Sequence, residues 1–306
     1  MWFKNLFLRR IRDWTLDAAA LESLLSAHPL QACGATDMES RGWLRPKGAE
    51  FPFVHAYEGR LLISFGTERR LLPPSVVDQY AKARADEWEE REGHRPGRKM
   101  MREIKEAVAQ ELLPRAFEIK TQMFAYIDPA AGWLVVNASS ESKTTGLLEW
   151  LIKHAEADSF SFDSMATTVS PSAAMSQWLA EREGPAGFTV DRDCELRDNG
   201  EEKAAVRYVH HDLNADEIPA HIASGKVATK LALTWQDKVS FVLTDGLQIK
   251  KLAPLDVLTE TAVADAETAA DLFDADFALM SGELALLLKD LVAGLGGFVA
   301  PSEKAA

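Results

Sequence analysis

Leu62-Ile63-Ser64-Phe65, followed after three residues by Arg69-Arg70-Leu71-Leu72-Pro73, is the stretch whose reading decides the fold. An apolar run, a break and a basic run ended by proline read as a β-hairpin giving way to a helix. Proline cannot donate to a strand ladder but suits a first helical turn. The pattern returns as Phe241-Val242-Leu243, a turn, and Lys250-Lys251-Leu252-Ala253-Pro254. Such short patterns are common, so the echo is one of shared hairpin–helix grammar rather than of a duplicated module. It puts strands and helices in both halves of the chain and predicts an α+β protein of mixed sheets with helices.

Outward from that stretch, residues 1–10 read as a first strand and 11–26 as a helix, on the spacing of Leu16, Ala19, Ala20, Leu24 and Leu25. Gly34, Gly42, Pro46, Gly48 and Pro52 mark a turn-rich segment. Phe53-Val54 and Leu61-Leu62-Ile63 flank the turn pair Glu58-Gly59. Helix is expected over 75–90, broken by Gly93, Pro96 and Gly97, and again over 98–112. Strands at 117–126 and 132–137 turn at Asp128-Pro129, and a helix over 142–157 follows. These elements make an N-terminal α/β region, 1–160, with a basic helical excursion at about 75–115. A C-terminal α/β region, 161–306, holds a short helix around Met175, Trp178 and Leu179, then strands at 204–208, 227–235 and 239–243. Reversals are expected at Gln236-Asp237 and Asp245-Gly246. An apolar helix over 277–295 ends in glycines.

The chain has 306 residues, 47% of them hydrophobic, enough for a sizeable core. No apolar run approaches the ~20 residues that span a bilayer, so no membrane partner is expected. Cys33 and Cys194 are the only cysteines and neither belongs to a CxxC pair, which predicts a reducing, cytoplasmic setting. The net charge of −13 opposes binding to a polyanion, but it is unevenly spread. Residues 256–306 hold ten acids against two lysines, whereas residues 95–120 hold seven basic residues against four glutamates. Local field matters more than total charge for a polyanion held in a groove.

Most apparent catalytic signatures fail on inspection. Ser224-Gly225-Lys226-Val227 is similar to the end of a phosphate-cradling loop, yet Ala220 stands where a glycine is needed and Val227 where a hydroxyl is needed. His210-His211 and His221 lack partners at metal-ligand spacing, and neighbours in a strand would face opposite ways. No G-x-S-x-G elbow occurs. Asp271, Asp274 and Asp276 suit a helix start, where acids complement the macrodipole. Catalytic residues, metal, cofactor and small-molecule substrate are therefore not expected. Arg98, Lys99, Arg102 and Lys105 share much of one helical face. Two readings stand open for them: a DNA phosphate path, or a solvated face paired with Glu103 and Glu106.

Several phrases in order along the chain resemble the RdgC family, the recombination-associated proteins of bacterial nucleoids. They are Trp2-Phe3-Lys4-Asn5-Leu6, Cys33-Gly34, Asp37-Met38, Gly42-Trp43 with Pro46, and Leu112-Leu113-Pro114-Arg115-Ala116-Phe117. Further on come residues 225–233 with Trp235-Gln236, then 273–277, Gly282-Glu283-Leu284-Ala285 and Leu295-Gly296-Gly297. The resemblance implies an elongated, curved subunit that pairs with a second copy into a closed two-fold ring around duplex DNA. It implies sequence-independent binding, no catalysis, and restraint of RecA-promoted strand exchange by occupying DNA that the recombinase needs. Phe117 matches the family's phenylalanine at the contact for ring closure, with Arg115 beside it. His210 and His211 stand where the family can have a lysine and a glutamine, so binding through them should weaken as pH rises above about 6.5. The expected DNA contacts are Arg98, Lys99, Arg102, Lys105, Arg115, Lys120, Lys226 and Lys230. A metal-dependent exonuclease and a protein–protein adaptor are the rival readings.

Overall fold

A computed structural model describes residues 2–156, 158–198, 200, 204–258 and 268–299. Its elements are β1 (Leu6–Arg12), α1 (Ala18–Ser26), β2 (Glu39–Leu44), β3 (His55–Tyr57), β4 (Arg60–Leu71), α2 (Pro74–Glu92), α3 (Arg98–Leu112), β5 (Phe117–Asp128), β6 (Trp133–Asn137) and α4 (Glu141–His154). They continue with β7 (Ser161–Asp163), α5 (Pro171–Glu181), β8 (Phe188–Asp198), β9 (Ala205–Tyr208), α6 (Glu217–Ala223), β10 (Lys226–Trp235), β11 (Val239–Thr244), β12 (Ile249–Pro254) and α7 (Ala269–Gly294). The α+β expectation holds. The strands form one antiparallel sheet rather than several mixed ones, in the order β2-β4-β5-β6-β1-β12-β11-β10-β8-β9, with β3 on β4 and β7 on β1.

β1 explains how one sheet forms. Its apolar residues alternate, so Leu6 and Leu8 bury on one face while Phe7 and Ile11 bury on the other. A strand buried on both sides belongs in the middle of a sheet. β1 pairs with β6 along one edge, and with β12 and β7 along the other. On the first face α7 spans both halves of the sheet. Phe277 meets Tyr126 of β5 at 6.1 Å between ring centres, and Trp235 of β10 donates its indole N–H to Asp290 at 2.9 Å. The second face is covered by α1 and α4 over the N-terminal strands, with Leu21, Leu25, Leu147 and Leu151 fully buried.

Several expectations change. The turn expected at residues 66–68 does not exist, because β4 runs unbroken for 12 residues. Gly66 lies in register between Gly42 of β2 and Gln122 of β5, so the ladders on both sides run through it. The later unit is a true hairpin, β11–β12, so the two halves of the echo fold differently. Ile11 stays in β1, and α1 starts only at Ala18, where Asp17 accepts the N–H of Ala20 at 2.8 Å. α7 begins eight residues before position 277 because Thr268 and Asp271 close a capping box. The histidine pair follows β9 instead of lying within a strand, and His210 has φ +53°. Residues 259–267 and 300–306 of the acidic C-terminal run lie outside the described residues.

Candidate nucleic-acid interface

The helical excursion is an insertion between β4 and β5. Gly93, left-handed at φ +76°, ends α2, and Gly97 opens α3. Ala81 and Val108 are the buried residues of α2 and α3, and the remaining surface is largely charged. Of the internal pairing left open by the sequence, Arg102 with Glu106 is present, and the other cations here that are paired find different partners. Lys105 pairs with Asp78 of α2 at 2.6 Å, Arg102 with Glu106 at 3.6 Å, Arg95 with Glu89 at 3.1 Å, and Arg84 with Glu111. Arg98 and Lys99 are exposed and carry no ion pair among the described residues.

A single 3-10 turn, Leu113–Arg115, leads from α3 into β5. Arg115 is exposed there, also without an ion pair among the described residues. Phe117 begins β5 opposite Leu71, the last residue of β4, and is 84% exposed. Ile119, the next residue on the same face, is exposed as well, so an apolar tip stands beside Arg115. Lys120 is exposed too, but its ammonium lies 3.0 Å from the buried Glu68. Glu68 also accepts the N–H of Cys33 at 3.0 Å. That N–H and the Lys120 ammonium hold its carboxyl below the ordinary range.

The other expected residues lie in the C-terminal half. Lys230 of β10 is 2.7 Å from Glu195 of β8, and Lys226 Nζ lies 3.4 Å from the Ser224 hydroxyl. Glu195 also accepts the Thr229 hydroxyl and pairs with Arg197, and hydrogen bonding from Lys230 leads in lowering its pKa. Beyond β9, His210 donates its backbone N–H to Asp193 at 2.8 Å, and His211 Nε2 lies 2.7 Å from Glu217. The His211 ring stacks on Tyr208 at 5.0 Å.

The eleven residues named from sequence thus fall into two groups. Arg98, Lys99, Arg102, Lys105, Arg115, Phe117 and Lys120 belong to the helical pair and its strands. Lys226, Lys230, His210 and His211 gather around β8 to β10. Of the second group, Lys230 lines a cleft of about 280 Å³ whose other basic residues are Arg207, Lys250 and Lys251. Sequence reasoning missed these three, although Lys250-Lys251 had stood out as a basic strand. Among the described residues, no three His, Cys, Asp or Glu side chains cluster so as to hold a metal ion. No described helix is long and apolar enough to cross a membrane.

With this geometry in view, a protein-family model described as "Putative exonuclease, RdgC" matches residues 1–298. The chain belongs to the RdgC family. Curated relatives named Recombination-associated protein RdgC match over nearly their whole length. The protein of Herminiimonas arsenicoxydans is 47% identical over 300 residues, covering 97% of this chain and 98% of its own. That of Dechloromonas aromatica strain RCB is 48% identical over 303 residues, covering 98% and 99%. The family resemblance read from the sequence is thereby confirmed.

Proposed function

We propose that this chain is a recombination-associated protein that binds double-stranded DNA without reading its sequence and has no catalytic activity of its own. Two copies close into a two-fold ring around the duplex, on the nucleoid in the cytoplasm, and restrain RecA by occupying DNA the recombinase needs. The observation that carries this reading is Phe117, an aromatic side chain left almost wholly in solvent beside Leu71, Ile119 and Arg115. An exposed apolar patch with a cationic neighbour marks a contact surface, and a two-fold contact needs one that is self-complementary. Phe117 and its symmetry mate supply such an anchor. A ring also separates charge, with cations such as Arg98, Lys99 and Arg115 turned to phosphate and the acids left outside. A protein of net charge −13 then binds DNA through its local field.

A gel-shift titration of linear duplex at several salt concentrations tests this. A clamp that neutralises about six phosphates gives a log–log salt slope near −5. Binding should be indifferent to sequence, and RecA strand exchange should slow as the duplex fills. A slope near zero would favour a protein–protein adaptor. Shortening of the duplex in magnesium or manganese, in proportion to purified protein, would establish an exonuclease instead.

A further inference from the structure

Lys250 and Lys251 are neighbours in β12, and in a regular strand their side chains would leave by opposite faces. Both nevertheless line the same cleft on the second face of the sheet. The cause is a bulge. Val242 pairs with Lys250 and Ser240 with Ala253, so Lys251 and Leu252 together oppose the single residue Phe241. Lys251 takes a left-handed conformation, φ +52°, which disfavours any residue with a Cβ. The N-terminal segment holds it there. Lys251 donates its N–H to Asn5 Oδ1 at 3.4 Å, and Leu252 donates to the carbonyl of Lys4 at 2.9 Å. Leu252 then returns to the core. Strained backbone that re-aims a charged side chain is a recurrent feature of binding sites.

The cleft is cationic in its unspent charge. Lys250, Lys251 and Arg207 carry no ion pair among the described residues. Of its two carboxylates, Glu195 is paired with Lys230 and Arg197, while Asp193 accepts the His210 N–H and keeps its charge. The four cations of the lining still outnumber the carboxylates. Val242 and Tyr208 add apolar surface, and positive charge over a low-dielectric wall attracts anions strongly. A second cleft, about 510 Å³, shares Asn5 with the first and adds Arg69 and Lys143. Its carboxylate, Glu39, is paired with Arg41. The ligand that fits two adjoining cationic clefts is an anion of repeated charge.

We infer that this face of the sheet, centred on Lys250 and Lys251, is a contact surface for the sugar-phosphate backbone of nucleic acid, additional to the basic helical pair. The inference rests on the DNA-binding reading above. It runs from Arg69 on β4, past Asn5, to the bulged lysines and Arg207 on β9. Lys230, held by Glu195, supplies wall rather than free charge.

The test is fluorescence anisotropy on a labelled duplex across a salt series, with the full-length protein, K250Q/K251Q and K251G. The double variant should bind about 10-fold more weakly, with a log–log salt slope shallower by about 1.8. K251G relieves the left-handed backbone, so it should unfold at a higher temperature and still bind less tightly. It also keeps the test decisive if the double variant misfolds. Wild-type affinity and slope in a folded K251G, or in both variants, would overturn the inference and leave DNA binding intact. A wild-type protein that ignores duplex would overturn the DNA-binding reading, and this surface with it.

Discussion

Leu71 and Phe117 form the last register pair of β4 and β5, and both side chains are exposed where the strand pair ends. Nothing in the fold of one chain buries Phe117, so its removal should leave monomer stability within about 0.5 kcal/mol. Phe117→Ala should instead shift the protein toward monomer and weaken duplex binding together. Sedimentation velocity and gel shift check this; both unchanged would remove Phe117 from the interface.

The ion pairs of α2 and α3 make a second prediction selective. Reversal of Arg98 and Lys99 to glutamate should weaken duplex binding and flatten the log–log salt slope by about 1.8, with helical content preserved. Reversal of Lys105 sets like charges against Asp78, its partner at 2.6 Å, so that variant should lower the thermal midpoint as well. Equal thermal midpoints for the two variants would contradict this division.

Glu68 ties the start of β5 to the 28–44 segment, through Lys120 on one side and the Cys33 N–H on the other. Its carboxyl lies below the ordinary value of 4.5 in the folded protein. The stability it contributes is therefore fully present above 4.5 and is lost as pH falls through the lower, folded-state value. Glu68→Gln should lower the thermal midpoint at neutral pH and flatten its decline below pH 4.5. An acid limb identical to wild type would refute the assignment.

Two glycines should respond in opposite directions to alanine. A Cβ at Gly42 would sit 2.5 Å from the backbone of Leu30, which is hydrogen-bonded to Trp43 of β2. Gly42→Ala must push main chain aside and should cost roughly 1–3 kcal/mol. Gly282 lies within α7 with nothing within 4 Å of a Cβ, so Gly282→Ala should gain roughly 0.5–1 kcal/mol. Thermal denaturation of the two variants reads both.

Much of this was legible where local chemistry decides. The bounds of α3 follow from Gly97 before it and Pro114 after it, and the β10–β11 reversal from Gln236-Asp237, both left-handed. β2 and β8 were missed. Glu39 to Leu44 is nearly as polar as the turns before it, and β8 carries Asp191, Arg192, Asp193 and Glu195 in a register broken by bulges. Such strands are made by their neighbours' ladders rather than by their own pattern. The same holds for β4, where Gly66 read as a turn until pairing on both sides made it strand.

By itself, then, the sequence determined the α+β class, the helical insertion, the family, and Phe117 as a residue to examine, because periodicity, breakers and motif order are local properties. Only the tertiary structure decided which charges are free. Lys105, Lys120 and Lys230 read like Arg98 and Lys99 along the chain, yet carboxylates from other elements engage the first three. It also decided that Lys250 and Lys251 open to one side. A strand's own alternation separates neighbours, and a bulge pinned by Asn5 and Lys4, almost the whole chain away, brings them together.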